Sequence, residues 1–344
     1  MRAFWDPVQL THDPRFFLQR GTVRPNFEVP ARAAALLDGL RSLGIVPEPP
    51  PAASRADLET IHDPAYLAFL QNAPAAWAAL DTPGPEIVPN IHPAPEMLAQ
   101  GARYNANPIA EAGWFTADTS CPVGHATWAA AQAAAACALA AASEAAAGRH
   151  AYALARPPGH HAYRGRAGGH CYLNNAAIAA QSLRAQGAAR VAILDIDSHH
   201  GNGTQGIFWE RSDVFFASLH GDPSEYYPWY VGHAGERGTG PGLGANLNLP
   251  LPRGTGDDAW LNALRTALDA VIGFRPDALV LSLGFDASEH EPLSFLRITG
   301  DGFSRAAVAI GGLRLPTAVI QEGGYSVDHL SPLLARFLEA FDTA

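Results

Sequence analysis

The chain has 344 residues, 48% of them hydrophobic and 16% charged, which is ample material for one large core. Its formal net charge of −10 argues against duplex nucleic acid as a direct partner, because phosphates call for a basic face. A cationic small substrate would suit that charge.

Three sparse cysteines, Cys121, Cys137 and Cys171, fit a reducing compartment and no disulfide framework. The opening residues Met1-Arg-Ala-Phe-Trp-Asp form no apolar signal core. The run from Ala129 to Ala142 is too short and too weakly apolar to span a bilayer. A soluble cytoplasmic protein with no membrane partner is expected.

Taken in order, residues 1–30 predict a short first strand and a long loop. Pro30 to Arg41 predicts a helix, with proline at its start and Gly44 past its end. Pro47 to Pro51 is a connector, followed by a short helix over 57–62. The next helix opens with Asp63 as cap and Pro64 in its first turn. Residues 81–115, dense in Pro, Gly, Asn and Ala, predict a long functional loop or a partner surface. Thr127 to Gly148 predicts an alanine-rich helix, and Asn174 to Gln186 another, ended by Gly187. Apolar runs at Val191–Leu194, Val214–Leu219, Ala278–Leu283 and Thr317–Gln321 predict buried strands. Residues 232–246 predict a glycine-rich loop, and helices are expected over 257–272, 304–311 and 332–341. Strands alternating with helices give a single three-layer α/β domain over residues 1–344, a parallel sheet flanked by helices.

The rest of the chain is organised around Val191-Ala-Ile-Leu-Asp195-Ile-Asp197-Ser-His199-His200-Gly201-Asn202-Gly203. Alternate side chains of an extended backbone share a side, so Asp195, Asp197 and His199 would face together if the strand ran on. Such polar groups beside a buried strand are costly to desolvate, and a cation offsets that cost. The carboxyl ends of parallel strands are where α/β folds keep ligands. The stretch therefore reads as metal-binding; a salt-bridged Asp/His cluster capping the next loop is the structural alternative.

Other strand ends add reactive groups. Arg156-Pro-Pro-Gly159-His160-His161 brings two adjacent imidazoles on a turn, Gly284-Phe-Asp286 a carboxylate, and Gly323-Gly324-Tyr325 a phenol. Singly, the histidine pair reads as structural, Asp286 as a helix cap and Gly-Gly-Tyr as a turn. Together they describe metal-assisted hydrolysis of an amide or ester. Asp and His donors suit zinc with an open position; iron(II), manganese and cobalt also suit them. His160 and His161 then handle protons, and Asp195 and Asn202 can each orient one imidazole. Tyr325 can donate to a developing oxyanion.

The runs Arg156-Pro-Pro-Gly-His-His-Ala, Gly168-Gly-His-Cys-Tyr-Leu-Asn-Asn175, Asp195 through Gln205, Ser218-Leu-His-Gly-Asp222, Ser282-Leu-Gly-Phe-Asp286 and Glu322-Gly-Gly-Tyr325 resemble the zinc-dependent histone deacetylase superfamily. The bacterial acetylpolyamine amidohydrolases are the branch it is most similar to. The resemblance covers nearly the whole chain and implies an arginase/deacetylase-like fold. It implies zinc on Asp197, His199 and Asp286, with His161, oriented by Asn202, transferring protons. It implies that His160, paired with Asp195, assists the leaving amine, and that Tyr325 polarises the acetyl carbonyl. It further implies a structural potassium ion on Asp195, Asp197, His199, Ser218 and Leu219, partly through main-chain carbonyls. The walls of the substrate tunnel would be Gly169, His170 and Tyr227, with Leu293 at the gate and Arg32 near the acetate exit.

Three positions depart from the family pattern. His170 stands where Phe or Tyr is usual, adding a titrating edge that predicts an altered acyl preference or pH profile. Ser120 replaces the acid with which many histone-directed members grip a peptide backbone. Leu293 stands where some polyamine-selective relatives carry Glu. In the bacterial branch a loop like 81–115 builds the dimer and narrows the tunnel mouth. The resemblance thus implies a homodimer acting on small acylated amines, with Glu111 and Asp118 as candidates to meet a distal ammonium. Three other readings are a protein acetyl-lysine deacetylase, a non-catalytic binding module, and an arginase-like hydrolase with two manganese ions.

Overall fold

The computed structural model describes residues 1–293 and 295–344. In chain order the strands and helices are β1 (Arg2–Phe4), β2 (Phe16–Gln19), β3 (Thr22–Pro25), α1 (Pro30–Ser42), α2 (Arg55–Glu59), α3 (Pro64–Ala78), α4 (Pro95–Ala99), α5 (Pro108–Trp114) and α6 (Thr127–Ala146). There follow β4 (Ala151–Ala153), α7 (Asn175–Ala185), β5 (Val191–Asp195), α8 (Asn202–Phe208), β6 (Val214–Gly221), β7 (Asn246–Leu251) and α9 (Asp257–Phe274). The last elements are β8 (Ala278–Leu283), α10 (Gly300–Gly311), β9 (Thr317–Gln321) and α11 (Val327–Asp342).

Seven strands form one parallel sheet in the order β1-β4-β9-β8-β5-β6-β7. The central strands are apolar along most of their length because both faces are covered. Along β5 the side chains alternate between layers. Val191 and Ile193 join the core under α6 and α7, whereas Ala192 and Leu194 join the core under α1, α9, α10 and α11. The alanines of α6 let it lie close to the sheet. By length and composition α6 could cross a membrane, yet 72% of its apolar window is buried inside the fold. Its burial, rather than its shortness, makes it a core helix.

Several local expectations are corrected. The loop expected over 1–30 contains the antiparallel β2–β3 hairpin. The edge strand β7 had no apolar run to announce it: Asn246 and Asn248 point inward, and their amides donate to Gln205. Helix α2 starts at Arg55, two residues early, because Ser54 and Asp57 form a capping box ahead of it. Asp63 precedes α3 but caps nothing; its carboxylate pairs with Arg164 at 2.8 Å. Helix α11 begins at Val327, so Pro332 lies inside it rather than at its start. The 81–115 segment contains two short helices, α4 and α5.

Candidate active site and metal centre

Four neighbouring strands, β4, β9, β8 and β5, end on the same side of the sheet, and the segments after them build the site. Regular pairing of β5 stops at Asp195, which lies between Ser218 and Ser282. Beyond it the chain is held by its own carboxylates. Asp197 N donates to Asp195 Oδ1 (3.1 Å) and His199 N to Asp197 Oδ1 (2.8 Å). Gly323 N donates to Asp197 Oδ2 (2.9 Å) and Ser198 N to Asp286 Oδ1 (2.8 Å).

Asp197, His199 and Asp286 present one donor atom each within 4.8 Å of one another. His199 Nδ1 is 3.2 Å from Asp197 Oδ1 and 3.0 Å from Asp286 Oδ2. Two glycines permit this convergence. A Cβ on Gly323 would press on both carboxylates, 2.6 Å from Asp197 Oδ2, and one on Gly284 would clash with Asp197. Burial opposes a charge on His199, but Asp286 and Asp197 outweigh it and lift the imidazole to about 9. Burial and the Asp197 charge push the Asp286 carboxyl up. Two buried carboxylates and an imidazole thus converge on one point, an arrangement that a divalent cation would stabilise. One nitrogen and two carboxylate donors fit such an ion with a position left open.

His160 and His161 lie on the turn after β4 with ring centroids 4.0 Å apart. Their partners differ. His160 Nδ1 is 2.9 Å from Asp195 Oδ2, and His161 Nδ1 is 2.6 Å from Asn202 Oδ1. Burial disfavours charge on His160, yet Asp197 and Asp195 hold it well above the usual histidine range. Burial, with His160 and His199 nearby, keeps His161 well below it. Since Asn202 Oδ1 accepts, His161 carries its proton on Nδ1 and leaves Nε2 as a base.

Tyr325 is only 9% exposed, and burial raises its phenol well above 10, so it remains a donor. The Arg32 guanidinium lies 4.7 Å from its ring and binds the carbonyls of Gly324 and Glu322 and the carboxylate of Glu28. Tyr227 meets the His161 ring edge-on at 4.9 Å. Tyr227 and the Gly169 amide both donate to Asp118 Oδ2, at 2.5 and 3.0 Å. The His170 ring sits between Phe17 (5.4 Å) and Tyr325 (5.9 Å). Burial pushes His170 down to about 4, which favours a neutral imidazole at this wall position. The Leu293 carbonyl accepts from Tyr226 (2.8 Å).

The structure therefore brings the expected catalytic, metal and wall residues together. Leu219 is buried beside Ser218, whose hydroxyl contacts His220 Nδ1 at 2.8 Å. Glu111 instead accepts the Tyr104 hydroxyl within its own segment. Two buried acids that the sequence reading gave no role hold the backbone of the site. Glu322 Oε2 accepts from Gly159 N (2.7 Å) and His160 N (3.1 Å), pinning the histidine turn. Glu291 accepts from the Tyr325 and Ser326 amides. Glu322 heads the Gly-Gly-Tyr run, which was a usable signal; Glu291 sits in a segment with no periodicity. His160, Cys171 and Glu322 also cluster, but burial keeps the Cys171 thiol protonated and Glu322 is already hydrogen-bonded.

The histone deacetylase domain family matches residues 26–341. The chain is 45% identical to an acetylpolyamine amidohydrolase of Burkholderia pseudomallei, over 99% of this chain and 98% of that one. It is 44% identical to acetylpolyamine amidohydrolase 1 of Pseudomonas aeruginosa, over 94% of each. The fold superimposes on the crystal structure of acetylpolyamine aminohydrolase from Burkholderia pseudomallei with a TM-score of 0.94, covering 99% of this chain and 98% of that one at 45% identity.

Proposed function

Because this chain belongs to the histone deacetylase domain family, whose members are hydrolytic and generally metal-dependent, we propose that it deacetylates small N-acetylated amines, acetylpolyamines above all. The observation that carries this reading is the meeting of three metal donors with two unlike histidine pairs and a buried phenol. Asp197, His199 and Asp286 would hold the ion. Zinc is proposed, with iron(II), manganese and cobalt as further candidates. When bound, the ion supplies Lewis acidity to the acetyl carbonyl and acidifies water.

The protein's own groups then move the protons. His161 Nε2 takes the proton of the attacking water, since Asn202 keeps Nδ1 protonated. His160, kept charged by Asp197 and Asp195, stabilises the negative charge of addition and assists the leaving amine. The Tyr325 hydroxyl donates to the acetyl oxygen as charge gathers there. Acetate and a free amine result. Gly169, His170 and Tyr227 would flank the substrate chain, with Leu293 at the gate. Asp195, Asp197, His199, Ser218 and Leu219 would hold a structural potassium ion. The 81–115 segment would form a homodimer contact that narrows the entrance against macromolecules.

The test is acetate release from N-acetylputrescine and from an acetyl-lysine peptide by metal-defined protein. Turnover of acetylputrescine supports the reading. Turnover of a folded acetylated protein alone would overturn it in favour of a protein deacetylase.

A further inference from the structure

Tyr325 has a free hydroxyl and a held backbone. Among the described residues its phenol makes no hydrogen bond to the protein, although the residue is buried. Its amide lies 2.8 and 2.9 Å from the two oxygens of Glu291, and the Ser326 amide lies 2.8 Å from Glu291 Oε1. Glu291 comes from the segment after β8, whereas Tyr325 follows β9, so the carboxylate ties two strand ends together.

We propose that Glu291 is a positioning residue for Tyr325: its carboxylate grips two successive backbone amides and so sets where the phenol points. The assignment rests on the role given to Tyr325 above.

The local chain needs such a tie. Gly324 has a φ of 120°, so the turn before Tyr325 is neither strand nor helix, and Ser326 ahead of α11 makes no side-chain cap bond. An amide hydrogen bonding to a carboxylate is charge-assisted and stronger than one to a neutral acceptor. Both oxygens are used, and a glutamine would turn an N–H₂ toward an N–H donor. Glu291 is 7% exposed; burial and the Asp286 carboxylate push it up to about 7, whereas the Ser326 and Tyr325 amides favour its carboxylate form. A second tie joins the same segments. The His290 and His329 rings stack at 4.0 Å and 14°, and His329 Nδ1 is 2.8 Å from Ser326 Oγ.

The experiment compares wild type, Glu291→Gln, Tyr325→Phe and the double variant, on zinc-loaded protein with N-acetylputrescine. Amide hydrogen exchange over residues 324–328 is followed in parallel. Misplacing a reacting group by about 1 Å can cost ~100-fold. Glu291→Gln is therefore expected to lower kcat about 10- to 100-fold, with KM within about threefold and faster exchange at Tyr325 and Ser326. In the Tyr325→Phe background the same change should cost less than about twofold, because the two residues act as one unit. An undiminished loss in that background, or unchanged kcat in the single variant, overturns the proposal. Should Tyr325→Phe itself turn over normally, the role of Tyr325 falls, and exchange decides on the tie: faster exchange in Glu291→Gln upholds it and unchanged exchange removes it.

Discussion

His161 Nδ1 lies 2.6 Å from Asn202 Oδ1, a neutral partner, although His160 beside it has a carboxylate partner in Asp195 at 2.9 Å. The neutral amide orients His161 without placing a charge beside it. Asn202→Asp would add a negative charge there and raise the His161 pKa. A base must be unprotonated to act, so the acid limb of the kcat profile should move to higher pH. Activity near neutrality should drop about 10- to 100-fold, a general-base effect. A pH–rate profile of the two proteins checks this.

Gly323 is a point at which affinity for the proposed metal ion can be removed without replacing a candidate ligand. Gly323→Ala would push a methyl group against the Asp197 and Asp286 carboxylates. Zinc content per chain should fall well below that of wild type, measured by atomic absorption after dialysis. A chelator should also lower the wild-type melting temperature, since an ion that binds only the folded state stabilises it by about 4 kcal/mol at a thousandfold excess over Kd. Zinc added back should restore the melting temperature of wild type and not of the variant.

Burial lowers His170 to about 4, which favours the neutral imidazole near pH 7. His170→Phe should therefore leave the shape of the pH–rate profile unchanged above about pH 5. A changed ratio of acetyl to longer acyl turnover would show the wall acting by shape and hydrogen bonding. A shifted limb would show that the imidazole titrates after all.

His62 is buried far in sequence from the candidate metal ligands, contacts Arg164 O through Nδ1 at 3.2 Å and accepts from Asn174 N through Nε2 at 2.9 Å. The acceptor role requires a neutral ring, and burial depresses its pKa to about 4. A histidine depressed in the folded state binds its proton first when unfolded. Its stabilising contribution is therefore complete above about pH 6.5 and lost as pH falls toward 4. Across about 2.5 pH units that amounts to ~3 kcal/mol. Denaturant midpoints between pH 7 and 4 should fall less steeply for His62→Gln than for wild type.

The Asp195-Ile-Asp197-Ser-His199 alternation shows how much was legible along the chain. A period of two places three polar side chains on one side wherever the backbone is extended, and local sterics alone dictate that. Apolar runs likewise announced β5, β6, β8 and β9, because a strand covered on both faces is apolar along most of its length. Strand β7 stayed hidden because its inward asparagines look like loop residues until Gln205 is there to bind them. Nothing within residues 284–291 shows that Asp286 meets His199, or that Glu291 reaches the Tyr325 amide. Those pairings join positions 87 and 34 residues apart, and only the lateral order of the sheet brings them together. The types of chemical group were thus set by the sequence, whereas their partners and charge states were decided by tertiary structure. A hydrogen bond or a shifted pKa depends on what stands within a few ångströms, and the chain's own order does not encode that distance.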